Sequence, residues 1–223
     1  MHLHDDFKQR AVMHGEKLDW IASPMKGVDR RMLERIGGEV ARATTIVRYA
    51  PGSAFSPHTH TGGEEFIVLE GVFQDEHGDY PVGSYVRNPP TSSHTPGSEE
   101  GCVILVKLWQ YDPEDRSHVV IDLNKMEAID DPHQSGVSIT PLFKDNRETV
   151  RLEHWKAGEI IELGSKGGAE YFVLDGSFTF DAETFQRHSW LRLPEGDKVS
   201  VTTGEEGARV WVKTDHLPFA KAP

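Results

Sequence analysis

Apolar and polar positions change their rhythm early in the chain. Between Asp29 and Ile36 (DRRMLERI), Met32, Leu33 and Ile36 recur at three- and four-residue intervals, and Gly37-Gly38 follows as a stop signal. This spacing predicts a short helix within an N-terminal arm covering residues 1–40. From Ala43 onward the pattern is that of strands. Thr44–Tyr49 is β-branched and ends at the turn Ala50-Pro51-Gly52, and Glu65–Glu70 is apolar and bounded by Gly71. Ser84–Asn88 alternates and is cut by Pro89-Pro90, while Cys102–Trp109 reads as a buried strand. Short strands between regular turn signals predict an all-β sandwich or barrel.

The pattern then repeats. Residues 62–73 read GGEEFIVLEGVF and residues 167–178 read GGAEYFVLDGSF, which agree at seven of twelve positions at a constant offset of 105. Pro90 and Pro194 follow the two blocks, and Trp109 and Trp211 are read as ending the last strand of each unit. A period this long means duplication of a whole domain rather than a solenoid array. The expected organisation is an arm (1–40), a first repeat (41–119), an Asp-rich linker (120–145) and a second repeat (146–217).

Composition narrows the classes. The chain has 223 residues, a formal net charge of −12 and a pI near 5.4, which disfavours binding to nucleic acid or to an anionic membrane surface. No stretch approaches the ~18 apolar residues of a membrane span. Met1–Arg10 lacks the apolar core of a secretory signal. The single cysteine, Cys102, excludes an intramolecular disulfide framework. The expected location is the cytoplasm.

The candidate chemistry lies in the first repeat. His58 and His60 stand two apart, so on a strand both imidazoles face one side, and Glu64 follows after the turn Thr61-Gly62-Gly63. His94 comes some thirty residues later, after Pro89-Pro90-Thr91-Ser92-Ser93. Three imidazoles and a carboxylate suit one divalent transition metal, with zinc the first choice and iron, nickel or manganese the alternatives. Glu65 is the rival to Glu64, but its copy Glu170 survives in the second repeat, where the other ligands are missing. Tyr85 and Arg87 alternate near the motif, and two readings stay open for them: facing the cavity, or forming an outward pair. His77 reads as a hairpin residue, and Cys102 as a core thiol.

The full pattern, Gly52-x5-His58-x-His60-x3-Glu64-x6-Gly71, then Pro81-x-Gly83, then His94, resembles the two motifs of the cupins. The resemblance implies two tandem jelly-roll barrels. The wording HTHTGGEEFIVLEGVFQDEHGDYPVGSYVRNPPTSSHTP, with GCVILVKLWQ after it, is similar to the ChrR-type cupin group. That group includes the sensor domain of a zinc-dependent anti-sigma factor and relatives of acetylacetone-cleaving oxygenases. Carried onto this chain, the group's metal ligands are His58, His60, Glu64 and His94. In the second repeat Ser165, Ala169 and Lys198 are read at the positions of His60, Glu64 and His94, so that barrel is expected to hold no metal. The resemblance implies a metal-binding sensor or an Fe(II) dioxygenase acting on a small diketone or aryl ketone, a small-molecule ligand in the first barrel, and a homodimer. Sigma-factor binding is doubtful, because the His-x3-Cys-x2-Cys cluster of the sigma-binding domain has no counterpart here.

Overall fold

The computed structural model describes every residue except 39, 222 and 223. The chain divides into two compact units. The first comprises Met1–Asp5 and Asp19–Lys125, and the second Asp6–Leu18 and Met126–Ala220. Each is a folded antiparallel sheet.

In the first unit the strand order is His2–Leu3, Val28–Gly37, Ala41–Tyr49, Cys102–Leu108, Glu64–Asp75, Ser84–Asn88 and Val119–Asp122. Alternation on these strands turns Phe66, Val68, Val86, Ile104 and Val106 inward onto one apolar core. Each fully buried large side chain of this kind stabilises the fold by roughly 1.5–3 kcal/mol. The 12-residue strand Glu64–Asp75 is too long to remain in one sheet, and it turns a corner at Gly71. That residue has φ +68, and a Cβ there would lie 2.0 Å from the Gly101 carbonyl oxygen, so only glycine fits. Beyond the corner the strand pairs with Gly78–Pro81 and with Gly97–Ser98. A separate short pair, His58–Thr59 with Ser93–His94, lies off the main sheet.

The second unit repeats this order with Ile129–Asp130, Val137–Lys144, Thr149–Trp155, Val199–Thr214, Ala169–Phe180, Ser189–Leu193 and Ala11–His14. Its core is larger and wholly apolar at the centre, with Ile161, Ala169, Phe185, Leu191 and Leu193 all at 0% exposure.

Four expectations are corrected. Asp29–Ile36 is not helical: Val28–Gly37 is a ten-residue strand paired with Ala41–Tyr49. A bulge between Met32 and Glu34 adds one residue to the alternation, and this produces the three-residue spacing that mimics a helix. Residues 1–40 are therefore not an arm. They supply strands to both units, with Val28–Gly37 in the first and Ala11–His14 in the second. The stretch 120–145 likewise contains strand rather than linker, since Val119–Asp122 pairs with Ser84–Arg87 and Val137–Lys144 pairs with Thr149–Trp155. Trp211 lies within the 16-residue strand Val199–Thr214 rather than at its end.

Candidate metal centre

The short strands of the first unit bring three histidines to one point. His58 and His94 are directly opposed across their two-residue pairing, and His60 follows just past the strand. The backbone of His60 is pinned to the next loop by its N–H donating to the Ser92 carbonyl (2.9 Å) and by Thr91 N–H donating back to its own carbonyl (2.9 Å). The three ring centroids lie 4.6–5.0 Å apart, each pair of rings at 75–83°. Glu64 opens the adjacent long strand, and its Oε1 lies 3.5 Å from His60 Nε2 and 3.7 Å from His94 Nε2. One ligand atom from each of the four residues lies within 4.8 Å of the others, and no other such group of His, Cys, Asp or Glu occurs among the described residues.

The turn that delivers Glu64 depends on its glycines. A Cβ on Gly62 would lie 2.2 Å from the Trp109 ring, and one on Gly63 (φ +76) would lie 2.4 Å from Tyr111. The two aromatic rings lie where those side chains would be. Tyr111 also donates its hydroxyl to the Glu64 carbonyl at 2.9 Å, which fixes the start of the strand.

The neighbours of each imidazole decide which nitrogen faces inward. His94 Nδ1 lies 3.2 Å from Asp75 Oδ2, and a carboxylate only accepts, so Nδ1 carries the proton. His60 Nδ1 lies 3.0 Å from Ser92 Oγ, whose own proton goes to the Pro89 carbonyl at 2.6 Å. His60 must therefore donate as well. His58 Nδ1 makes a longer 3.5 Å contact with the Ser56 carbonyl. In His60 and His94 Nε2 is left with a lone pair on the side of Glu64, the arrangement in which outer hydrogen bonds orient metal-binding histidines.

Burial sets the protonation states. It lowers His60 to a pKa of about 3, aided by the neighbouring imidazoles, and it lowers His94 against the opposing pull of Asp75. Both rings are neutral at ordinary pH. Burial pushes the Glu64 carboxyl up to about 7, although Asn88 Nδ2 donates to its Oε1 at 3.3 Å. His60 Nε2 and His94 Nε2 are buried with no hydrogen-bond partner. Such orphaned acceptors beside a carboxylate are costly unless something cationic satisfies them. The donor set fits a divalent transition metal, whose bonds of about 2.1 Å would place cis donors roughly 3–4 Å apart.

A cavity of about 300 Å³ opens onto this cluster, at the small end of the range for ligand sites. Its walls include Tyr49, Phe55, Leu108 and Trp109, together with one cationic side chain, Arg35.

The structure gathers His58, His60, Glu64 and His94 and leaves the other candidates elsewhere. Glu65 points to the opposite face of its strand, where it accepts from the Tyr85 hydroxyl (2.6 Å) and pairs with Arg87 (3.5 Å). Tyr85 and Arg87 are neither in the cavity nor on the surface. They are 0% and 1% exposed in a buried polar cluster that also includes Asp115 and the Tyr111 ring. His77 is exposed in its hairpin, and Cys102 is buried, its thiol pushed up to about 11 by burial. Sequence reasoning missed Asp75, Ser92, Asn88 and Arg35. Asp75 lies eleven residues beyond Glu64 on the same strand and reaches the site only because of the Gly71 corner, so no local signal marks it.

In the second unit, Leu163 is directly opposed to Val199, as His58 is to His94, so the residue at the His94 position is Val199 and not Lys198. The four ligand positions there are Leu163, Ser165, Ala169 and Val199. Leu163, Ala169 and Val199 are part of the apolar core.

Comparison with known proteins agrees with this duplicated architecture. The fold is similar to that of a Nostoc punctiforme protein described as a "putative dioxygenase" (TM-score 0.78, 15% identity, 97% of this chain and 86% of that one). It is also similar to Ylba from Escherichia coli (TM-score 0.67, 13% identity, 93% and 91% covered). A third similar structure is the E. coli bacterial pirin YhhW in complex with nickel(II) (TM-score 0.62, 13% identity, 92% and 98% covered). No curated protein matches the sequence. The family model of the ChrR cupin-like domain matches twice, over residues 8–112 and 116–218. Each match begins just before a strand, Ala11–His14 or Val119–Asp122, that belongs to the sheet of the unit built mainly from the other match. With both halves matched and both folded as jelly rolls, the chain belongs to the ChrR cupin-like family as a bicupin.

Proposed function

We propose that the first barrel is the centre of a metal-dependent dioxygenase acting on a small carbonyl compound, with His58, His60, Glu64 and His94 holding Fe(II). The observation that carries this reading is the cavity of about 300 Å³ lined by His58, His60 and Glu64, three of the four clustered residues. A purely structural metal has no need of such a space. Four protein ligands leave one or two positions free on a five- or six-coordinate ion. When bound, the metal would supply a Lewis acid and a site for O2 activation.

The chain's own residues do the rest. Asp75 and Ser92 hold His94 and His60 with Nε2 inward, Asn88 steadies the Glu64 carboxylate, and the Tyr49, Phe55 and Trp109 walls exclude water from a flat apolar substrate. For a β-diketone the balanced reaction adds both atoms of O2 and breaks one C–C bond. It yields a carboxylic acid and a 2-oxo aldehyde, with no external reductant.

The family match favours a second reading, a sensor in which zinc fills a four-ligand tetrahedron and the cavity takes a signal molecule. Metal content of the untagged protein, followed by oxygen uptake of the Fe(II)-loaded form with a panel of diketones and aryl ketones, separates the two. Uptake that is stoichiometric with substrate loss supports the dioxygenase. One tightly held zinc per chain, with no uptake across the panel when iron is loaded instead, overturns it in favour of the sensor.

A further inference from the structure

We infer that Arg35 is the anion anchor of the first cavity, and that the molecule bound there carries a carboxylate at the end away from the metal-binding cluster. The inference rests on the metal-site reading above and adds the class of ligand. Its basis is a single row across the sheet. Arg35 is paired with Ala43, Ala43 with Leu108, and Leu108 with Glu64. Directly opposed residues of antiparallel strands share a face, so all four point the same way. Strands about 4.8 Å apart place the Arg35 and Glu64 backbones roughly 14 Å apart along the row. Between them lie only Ala43 and Leu108, a short and apolar floor. Arg35 and Glu64 line the same cavity, one on either side of that floor.

Arg35 is well suited to that role. It is only 9% exposed, it lines the cavity, and among the described residues no carboxylate pairs with it. Among the described residues its hydrogen-bond partner is the Gly38 carbonyl, bonded through one guanidinium nitrogen. A buried guanidinium without a counter-ion gains strongly from a bidentate carboxylate, whose geometry its planar fork matches. The second barrel provides an internal control. The same row there reads Lys144, Thr149, Thr214 and Ala169, with Lys144 exposed. The ligand glutamate and the buried arginine are replaced together, as expected if they serve one bound molecule.

The test uses the full chain loaded with cobalt(II), whose visible spectrum reports ligand binding, and two probes. 4,6-Dioxoheptanoate offers a diketone to the metal and a carboxylate to Arg35, and its methyl ester lacks only the charge. The wild type is expected to bind the acid at least tenfold more tightly than the ester. Arg35→Gln should lose that tenfold for the acid and leave the ester unchanged, and Arg35→Lys should recover part of it, with cobalt content near one per chain in all three. Equal affinities for acid and ester in the wild type overturn the anchor, whatever the variants do. Unchanged discrimination in Arg35→Gln overturns it as well. Failure of the wild type to take up cobalt overturns the metal reading itself, and the anchor with it, and is recognised by metal analysis alone.

Discussion

The two barrels share strand order, corner glycines and a buried ionic cluster, but they use their interiors differently. In the first, the end of the barrel near the short strands holds three imidazoles, a carboxylate and open space. In the second, Leu163, Ala169 and Val199 fill the corresponding positions and join a core with Trp155, Tyr171 and Phe178. The outer faces were kept alike: Glu65, Arg87 and Lys107 in one unit correspond to Glu170, Arg192 and Lys213 in the other, each at 0–1% exposure. The two repeats therefore keep the same buried ionic residues and corner glycines and differ in how the interior near the short strands is filled. A metal site needs orphaned polar groups, which cost stability, whereas the same positions in the second barrel are filled by apolar packing.

The largest expected effect separates the two interiors. His94→Ala should abolish stoichiometric metal binding, measured by plasma mass spectrometry, with a smaller change in thermal stability. Val199→Ala should leave metal content intact and cost about 1–3 kcal/mol in denaturant unfolding, from lost burial and the cavity left behind. If both variants lose metal, the division of labour between the barrels is wrong.

Next come the shared clusters. Arg87→Ala should destabilise its unit by about 3–5 kcal/mol, because it strands the buried Glu65 and Asp115 carboxylates. Arg87 pairs with Glu65 and Asp115, so Arg87→Met together with Glu65→Gln should cost much less than the sum of the single changes. Additive costs in a double-mutant cycle would show that the pair does not interact.

A smaller effect is expected from Asp75→Ala, which removes the acceptor that orients His94. Metal affinity should fall about 10–100-fold, the usual cost of losing an outer-sphere partner, while the overall fold is kept. An unchanged Kd in competition with a chelator would mean that the 3.2 Å contact does not orient the ring.

The pH dependence follows from Glu64. Its folded pKa is raised to about 7 by burial, so the group stabilises the metal-free protein at low pH and that contribution is lost as pH rises through 7. Metal binding needs the carboxylate. Below pH 7 it must therefore release about one proton from Glu64, and affinity should decline by up to tenfold per pH unit. Calorimetry in buffers of different ionisation enthalpy should show this proton at pH 6 and not at pH 8. Equal release at both would assign the proton to another group. The smallest effect concerns Cys102, buried with its thiol near 11. It should react with a maleimide at pH 7.5 far more slowly than the same thiol in denaturant.

The four-residue cluster was legible because a metal-ligand pattern is a spaced signature of rare residue types: His58, His60, Glu64 and His94 could be named as candidates without any coordinates, and the structure brings them together. The repeat was legible for a similar reason, since GGEEFIVLEGVF and its copy keep glycines that no other residue can replace at a corner with φ near +70. The strand at Val28–Gly37 was not legible. Its bulge falsified the periodicity, and its partner strand, rather than its own propensity, holds it extended. Asp75, Ser92 and Arg35 were hidden because common residue types carry no spacing signal.

The sequence by itself thus determined the duplicated all-β architecture and which four residues of the first repeat are the candidate donors, with no matching set in the second. These depend on local alternation, turn chemistry and residue type, all of which are written along the chain. Only the tertiary structure decided which nitrogen of His60 and His94 faces Glu64, that Ala11–His14 and Val119–Asp122 lie in the sheets they do, and that Arg35 shares a row with Glu64. Those outcomes depend on strand register and on a corner at Gly71, where residues distant in sequence are brought within a few ångströms of one another.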